Sequence, residues 1–470
     1  MPRSEKLLIG SAIFVFVLLL AAMVGTVLLN SSASGTLYSA PPFALSSLIS
    51  GTERDPGEVA LGDHVLPSFI GLTPGEDGLG ISIGENVVRE LYAMLSPCLA
   101  AGLSEVPEAL TDDDWHTYAK SSRAVYLRYP SALPVSVLQQ VARWSCGLPE
   151  TDVAVESGVL PVRELVVLLP DGENSDWQLI LRDSDGGIWR YRCYPREDYP
   201  DEYPTLSQVQ SFVTDLGTNF YRYRLLTQPD GTVEPVFLER MRVRNVLLTP
   251  GTAVMMQENR AADLQELLVC LDFNPDKLSA HTEADGTQVI VETHGVLQLQ
   301  SDRVTYTASS DGGISLQQFI GYQESYDMLS DSLRTACTII KAIRDIHPYY
   351  LGGDADLLLT EVSRTEGRLR MVFQYAFDNL LLNGCGPAAV IEVENDRVVL
   401  ADLYAIALRS LGDFDSSYLE LGLFDGATSY KDVTLTYPAD FGTGSVFPVW
   451  SRFTEVPYAE SSGSNEKHIR

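Results

Sequence analysis

The sequence predicts an α+β protein in which an N-terminal transmembrane helix is followed by a multi-domain ectodomain of antiparallel sheets with packed helices. Three observations predict this. Leu7 to Leu29 is an unbroken apolar run without a charge. Val289, Val291, Val296, Leu297, Leu299, Val304 and Tyr306 fall in short alternating runs broken by turn residues, the period-two signature of half-buried strands. Leu329, Leu333, Ala336, Ile340 and Ile343 recur at spacings of four and three, which draws one apolar stripe along a helix.

The first element in order is the span. As a helix rising about 1.5 Å per residue, Leu7 to Leu29 crosses a hydrocarbon layer of roughly 30 Å. Arg3 and Lys6 precede it and no basic residue follows until Arg54, so the excess of positive charge keeps Met1 cytoplasmic and places everything after Asn30 outside. Ala33-Ser34-Gly35 offers a peptidase small residues, but a signal peptide has a shorter apolar core of about 7–15 residues. A retained single-pass anchor in the cell membrane is therefore expected. Within it, Ala21 with Gly25 and Ala22 with Thr26 set small residues four apart, a spacing that lets helices approach closely in lipid. These four are the candidate partner contacts of the anchor.

Residues 31–63 are rich in Ser, Gly, Pro and Ala and read as a linker. An N-terminal α+β domain is expected over 64–193. It begins with a helix from Glu85 to Leu95, stopped before Pro97, and a strand from Arg123 to Tyr129. A helix from Ser131 to Trp144 follows, with Pro134 in its first turn. Strands Arg163 to Pro170, Trp177 to Arg182 and Gly187 to Cys193 complete it, the last two joined by the turn Asp183 to Gly186.

A middle α+β domain is expected over 194–280. Thr205 caps a helix reaching about Phe220, strands lie near Tyr221 to Leu226, Val236 to Leu238 and Val243 to Leu248, and a short helix covers Ala261 to Leu271. The C-terminal α+β domain, 281–458, sets a long helix from Ser325 to Ile346 across a meander. Its later strands are Leu357 to Val362, Leu369 to Phe377, Ala389 to Val393 and Arg397 to Tyr404, with Glu394-Asn395-Asp396 as a turn. The polar end, 459–470, is a flexible tail.

Composition narrows the function. The 470-residue chain has 33 Lys and Arg against 63 Asp and Glu, a net charge of −30, and such a surface repels nucleic acid. Six cysteines, Cys98, Cys146, Cys193, Cys270, Cys337 and Cys385, are scattered without a C-x-x-C pair. No zinc or redox motif is read from them, and no pairing is assigned.

The chemical motifs are weak. Gly80-Ile81-Ser82-Ile83-Gly84 fits G-x-S-x-G ahead of a helix, but a flexible loop, Thr73 to Gly78, stands where a nucleophile elbow needs a strand. His116, His281, His294 and His347 have no distinctive setting. Asp183-Ser184-Asp185-Gly186 imitates a calcium loop, yet its register puts Leu181 and Arg192 at ligand positions. Thr111-Asp112-Asp113-Asp114 suits a capped helix start better than a cation site. No catalytic residue, metal ligand or cofactor is expected. Tyr191, Tyr194, Tyr199 and Tyr203 leave two readings open, a carbohydrate or peptide platform and the cover of a domain junction.

Leu271-Asp272-Phe273-Asn274-Pro275-Asp276, Asp285-Gly286-Thr287, the strands Val289 to Val291 and Val296 to Leu299, and Arg303-Val304-Thr305-Tyr306 resemble the extracytoplasmic YycH/YycI family of Gram-positive bacteria. Val372 to Asp378 and Ala389 to Val393 resemble that family's last paired strands. The likeness covers roughly Ala261 to Tyr404. Gly384-Cys385-Gly386 departs from the family's usual turn. The resemblance implies a non-enzymatic regulator of a two-component system, with the membrane, a cell-wall sensor histidine kinase and a sister regulator as partners. Two other functions compete, a cell-wall or peptide-binding module using the Tyr-rich segment and an anchored serine hydrolase using Ser82.

Overall fold

The computed structural model describes residues 61–72, 78–81, 85–148, 159–170, 177–193, 203–215, 221–227, 233–237, 241–242, 246–249, 260–276, 279–300, 302–321, 327–346, 351–377, 380–405, 407–410, 418–419, 433–438, 445–446 and 449–452. All of them fall in one compact unit, Asp55–Arg470. The expected span Leu7 to Leu29, with Ala21, Ala22, Gly25 and Thr26, lies outside the described residues, as do the linker before Leu61 and the tail. Among the described residues no helix is long and apolar enough to cross a membrane.

The chain is α+β with antiparallel sheets, as the period-two runs predict. The first sheet has nine strands: β1 (Phe69–Leu72), β2 (Gly78–Ile81), β3 (Glu108–Leu110), β4 (Ala124–Leu133), β5 (Val162–Leu168), β6 (Trp177–Asp183), β7 (Ile188–Cys193), β8 (Tyr221–Thr227) and β9 (Val233–Phe237). Their order is β3-β7-β6-β5-β4-β1-β2-β8-β9, antiparallel throughout. Helices α1 (Glu85–Gly102), α2 (Asp112–Ala119) and α3 (Val135–Ser145) belong to this half. α2 lies against β4, β5 and β6, and α1 against β6 and β7. Arg190 donates to the Tyr118 hydroxyl of α2 at 3.5 Å, and a Cβ at Gly102 of α1 would strike the Leu179 side chain. The register pairs Ile180 with Arg190 and Leu179 with Tyr191, so the two helices cover opposite faces. Strands covered twice read as continuous apolar runs rather than alternating ones.

β10 (Met241–Arg242) and β11 (Val246–Thr249) follow, with helices α4 (Leu206–Asp215) and α5 (Arg260–Cys270) before and after them. The segment expected as a middle domain is thus shared out. β8 and β9 extend the first sheet, while β11 joins strands from beyond residue 400.

The second large sheet is built from β12 (Ser279–Thr282), β13 (Gln288–Val291), β14 (Gly295–Leu299), β15 (Arg303–Ala308), β16 (Ile314–Ser315), β17 (Asp356–Thr365), β18 (Arg368–Phe377), β19 (Leu380–Asn383), β20 (Ala389–Glu394) and β21 (Arg397–Tyr404). β22 (Ala407–Ser410), β23 (Tyr418–Leu419), β24 (Val433–Pro438), β25 (Ser445–Val446) and β26 (Val449–Arg452) complete the strands. The order runs β12-β13-β14-β15-β21-β20-β18-β19-β24-β26, with β16 on β21 and β17 on β18. β22 and β25 flank β11, and β23 pairs with β10. Short helix α6 (Gln317–Ile320) leads to α7 (Met328–Ile346), which lies against β18 and β20.

Leu333, Ala336, Ile340 and Ile343 of α7 are buried, as their spacing predicts, but so are Ser330, Asp331, Ser332 and Thr335. Ser330 belongs to a second contact. Gln140 of α3 donates to the Ser330 hydroxyl at 3.2 Å, and the Arg334 guanidinium lies 5.5 Å over the Trp144 ring. The first half therefore meets the second along a polar helix seam.

Two helix ends differ from expectation. α1 continues through Pro97 to Gly102, because Cys98, Leu99, Ala100 and Ala101 are all buried there. That apolar burial offsets the hydrogen bond the proline cannot make. α3 starts at Val135, not Ser131, because residues up to Leu133 belong to β4.

Candidate functional site

Among the described residues, a half-open groove of about 560 Å³ lies on the second sheet. One wall is a charge ladder written by strand register. Arg368 stands opposite Glu394, and Arg370 opposite Glu392, so alternate residues of β18 and β20 meet as cross-strand pairs. Arg368 donates to Glu394 at 2.8 Å and to Glu392 at 3.0 Å, while Arg370 reaches Glu361 at 3.1 Å. These carboxylates, the Glu394 hydrogen bond first, hold the Arg368 guanidinium above its ordinary pKa.

The other wall is made by two turns. Asn395 and Asp396 have φ of 49° and 58°, the left-handed pair that a two-residue hairpin between twisted strands requires. They deliver Arg397 to the groove's edge. Facing them is the loop Ser309 to Gly313, pinned by one acceptor: the His294 carbonyl oxygen takes the Ser309 N–H at 3.1 Å, the Gly313 N–H at 2.9 Å and the Tyr306 hydroxyl at 3.1 Å. A Cβ at Gly312 would overlap that carbonyl, which explains a glycine there. Arg397 Nη1 donates to the Gly313 carbonyl at 3.0 Å and ties the walls together.

Next to this loop, segments singled out at the sequence level converge. The Phe273 ring lies 4.7 Å from His294 and 6.0 Å from Tyr306. Glu292 sits 3.8 Å from His294 and accepts the Asn274 N–H at 2.6 Å. This histidine is a core fastener for the loop after α5.

The other candidates resolve as follows. Tyr191 is fully buried, and Tyr203 lies 5.0 Å from the Trp177 ring, whose N–H donates to the Pro204 carbonyl. Both rings are buried in the described fold. Tyr194 and Tyr199 lie outside the described residues, as do Ser82 and His347. The loop expected before Ser82 ends in a strand, since Gly78–Ile81 pairs antiparallel with β1 and β8; its Gly-rich sequence hid the strand. His116 is partly buried on α2, and His281 is exposed on β12.

Asp183 is fully used by its own turn. Its Oδ1 accepts the N–H groups of Asp185 and Gly187 at 3.0 and 2.8 Å, and its Oδ2 accepts the Trp189 indole N–H at 2.8 Å. Thr111 and Asp114 form a reciprocal cap at the start of α2. Among the described residues no cluster of His, Cys, Asp or Glu has the grouping of a metal site.

The sequence reading takes Asp311-Gly312-Gly313 for a turn and names neither Arg368 nor Arg397 as a site residue. The alternation of Arg368 with Arg370 and of Glu392 with Glu394 was a readable signal; the partner of Arg397 across the groove was not. Comparison with protein-family models, with curated proteins and with solved structures finds no match to this chain.

Proposed function

We propose that this protein is a non-catalytic, membrane-anchored regulator whose extracytoplasmic body acts by touching a neighbour, a sensor histidine kinase of a cell-wall two-component system. The observation that carries the reading is the edge strand β12. All four of its residues are exposed, and among the described residues it is paired on one side only, with β13. An open strand edge of this kind presents backbone donors and acceptors to a partner chain. Val291 on the adjacent strand is 39% exposed and adds apolar surface beside it. The resemblance of residues 271–306 to the YycH/YycI family supports the choice of partner, and the uncharged run Leu7 to Leu29 supports contact within the membrane.

A regulator of this type biases its kinase by contacting one of two states more strongly than the other. Crosslinking in intact membranes, with a photoreactive residue placed at His281, is expected to capture a histidine kinase, and deletion of the gene to change kinase output. Capture of no kinase together with unchanged output would overturn the reading.

A further inference from the structure

We propose that the groove between the Arg368 ladder and the Ser309 to Gly313 loop binds a zwitterionic ligand of amino-acid or short-peptide size. Arg397 would hold its carboxylate and Asp311 its ammonium group. The volume of about 560 Å³ falls within the roughly 300–1,000 Å³ of small-molecule sites.

The charges sort into spent and unspent. Glu392 and Glu394 are satisfied by Arg368, so they set a negative background without an open site. Arg397 is exposed and donates to the Gly313 carbonyl, and no carboxylate of the described residues lies within ion-pair distance of it. Asp311, exposed on the facing loop, likewise forms no ion pair with a described residue. One open cation and one open anion thus line the same groove.

An arginine fork with free donors suits a carboxylate, which it can bind through two parallel hydrogen bonds. A multiply charged anion such as phosphate fits poorly, because Asp311, Glu392 and Glu394 share the groove and the whole chain carries −30. A ligand bearing both charges matches both open groups. Thr307 and Ser310, both exposed on the groove's rim, add hydroxyls for a peptide amide.

The full-length chain, purified in mild detergent, is titrated by calorimetry with alanyl-alanine, its C-terminal amide, its N-acetyl derivative and inorganic phosphate. The dipeptide is expected to bind saturably at one site. Either blocked form, and either variant R397Q or D311N, should bind at least about tenfold more weakly. T307W, a change at an exposed strand position, should abolish binding by filling the groove while leaving the melting midpoint unchanged. That variant decides the matter if R397Q melts early. No saturable binding by the wild type, equal binding of phosphate, or unchanged affinity in T307W overturns the proposal. The titration contains no kinase, so its failure leaves the regulatory reading standing.

Discussion

The imidazole Nδ1 of His64 lies 2.7 Å from the carbonyl oxygen of Leu357, 293 positions away in the chain. A carbonyl only accepts, so Nδ1 carries the proton. The bond is doubled by the backbone, where the Leu359 N–H donates to the His64 carbonyl at 2.7 Å. The segment entering the first sheet is thereby stitched to β17 of the second, with the ring set edge-on to Phe373 at 5.8 Å.

H64A should therefore loosen the junction of the two sheets. It leaves the Leu357 carbonyl short of a donor and removes the ring contact, a loss of about 1–3 kcal/mol. Burial, as the leading cause, lowers the His64 pKa below 6.5; Arg344 and Arg89 act the same way, against the Leu357 bond and Asp63. The folded state thus favours the neutral ring, and the unfolded chain takes up the proton first as pH falls. The contribution is complete above about pH 6.5 and declines below it. Thermal melts of wild type and H64A should differ most near neutral pH and converge in acid; a gap that widens on acidification would refute the assignment.

Asp183 tests the turn that imitates a calcium loop. Three donors converge on its carboxylate, so D183A should cost about 2–3 kcal/mol. D183N should cost less, because its carbonyl oxygen still accepts the two backbone N–H groups. Calcium or a chelator should leave the melting midpoint of the wild type unmoved. A rise with calcium would show that the carboxylate has capacity to spare.

Periodicity carried the elements whose apolar or turn residues recur at a fixed spacing. The stripe of α7 and the hairpin through Asn395-Asp396 appear where their sequence patterns put them, because each has one face or one turn with a strict requirement. β1, Phe69–Leu72, has four buried residues and no alternation, so nothing in its composition marks it as a strand. β4 runs to Leu133 although it contains Pro130, because its pairing with β5 shifts register between Arg128 and Leu133. A proline is tolerated where the ladder is interrupted. The groove was illegible for another reason: Asp311 and Arg397 are brought together only by the pairing of β15 and β16 with β21, and no window of sequence contains both.

The Gln140–Ser330 bond offers a measure of how firmly the two halves hold at the helix seam. Both side chains are buried, so S330A, which leaves the Gln140 amide without that acceptor, should cost about 1–2 kcal/mol. Q140L combined with S330A should recover part of the loss. A double-mutant cycle in denaturant melts is expected to return a coupling of about 0.5–1.5 kcal/mol; a coupling indistinguishable from zero would mean that this bond adds nothing to the seam.

The cysteines supply the last prediction. All six are free thiols, and burial is the first cause of a raised pKa in each, up to about 12 for Cys146, Cys193, Cys270 and Cys385 and well above the usual value for Cys98. Cys337 is pushed up as well. The thiolate is the reactive form, and at pH 8 a thiol of pKa about 12 is ionised about one part in ten thousand. The native chain should therefore react slowly with a maleimide even at alkaline pH, with half-buried Cys146 leading. Cys193 illustrates the rest, since its Sγ donates to the Cys98 carbonyl at 3.5 Å inside the first core. Unfolding in guanidinium without reductant should release six fast-reacting thiols. Fewer than six would reveal a disulfide, and fast labelling of the native chain would show that the cores open far more readily than their burial implies.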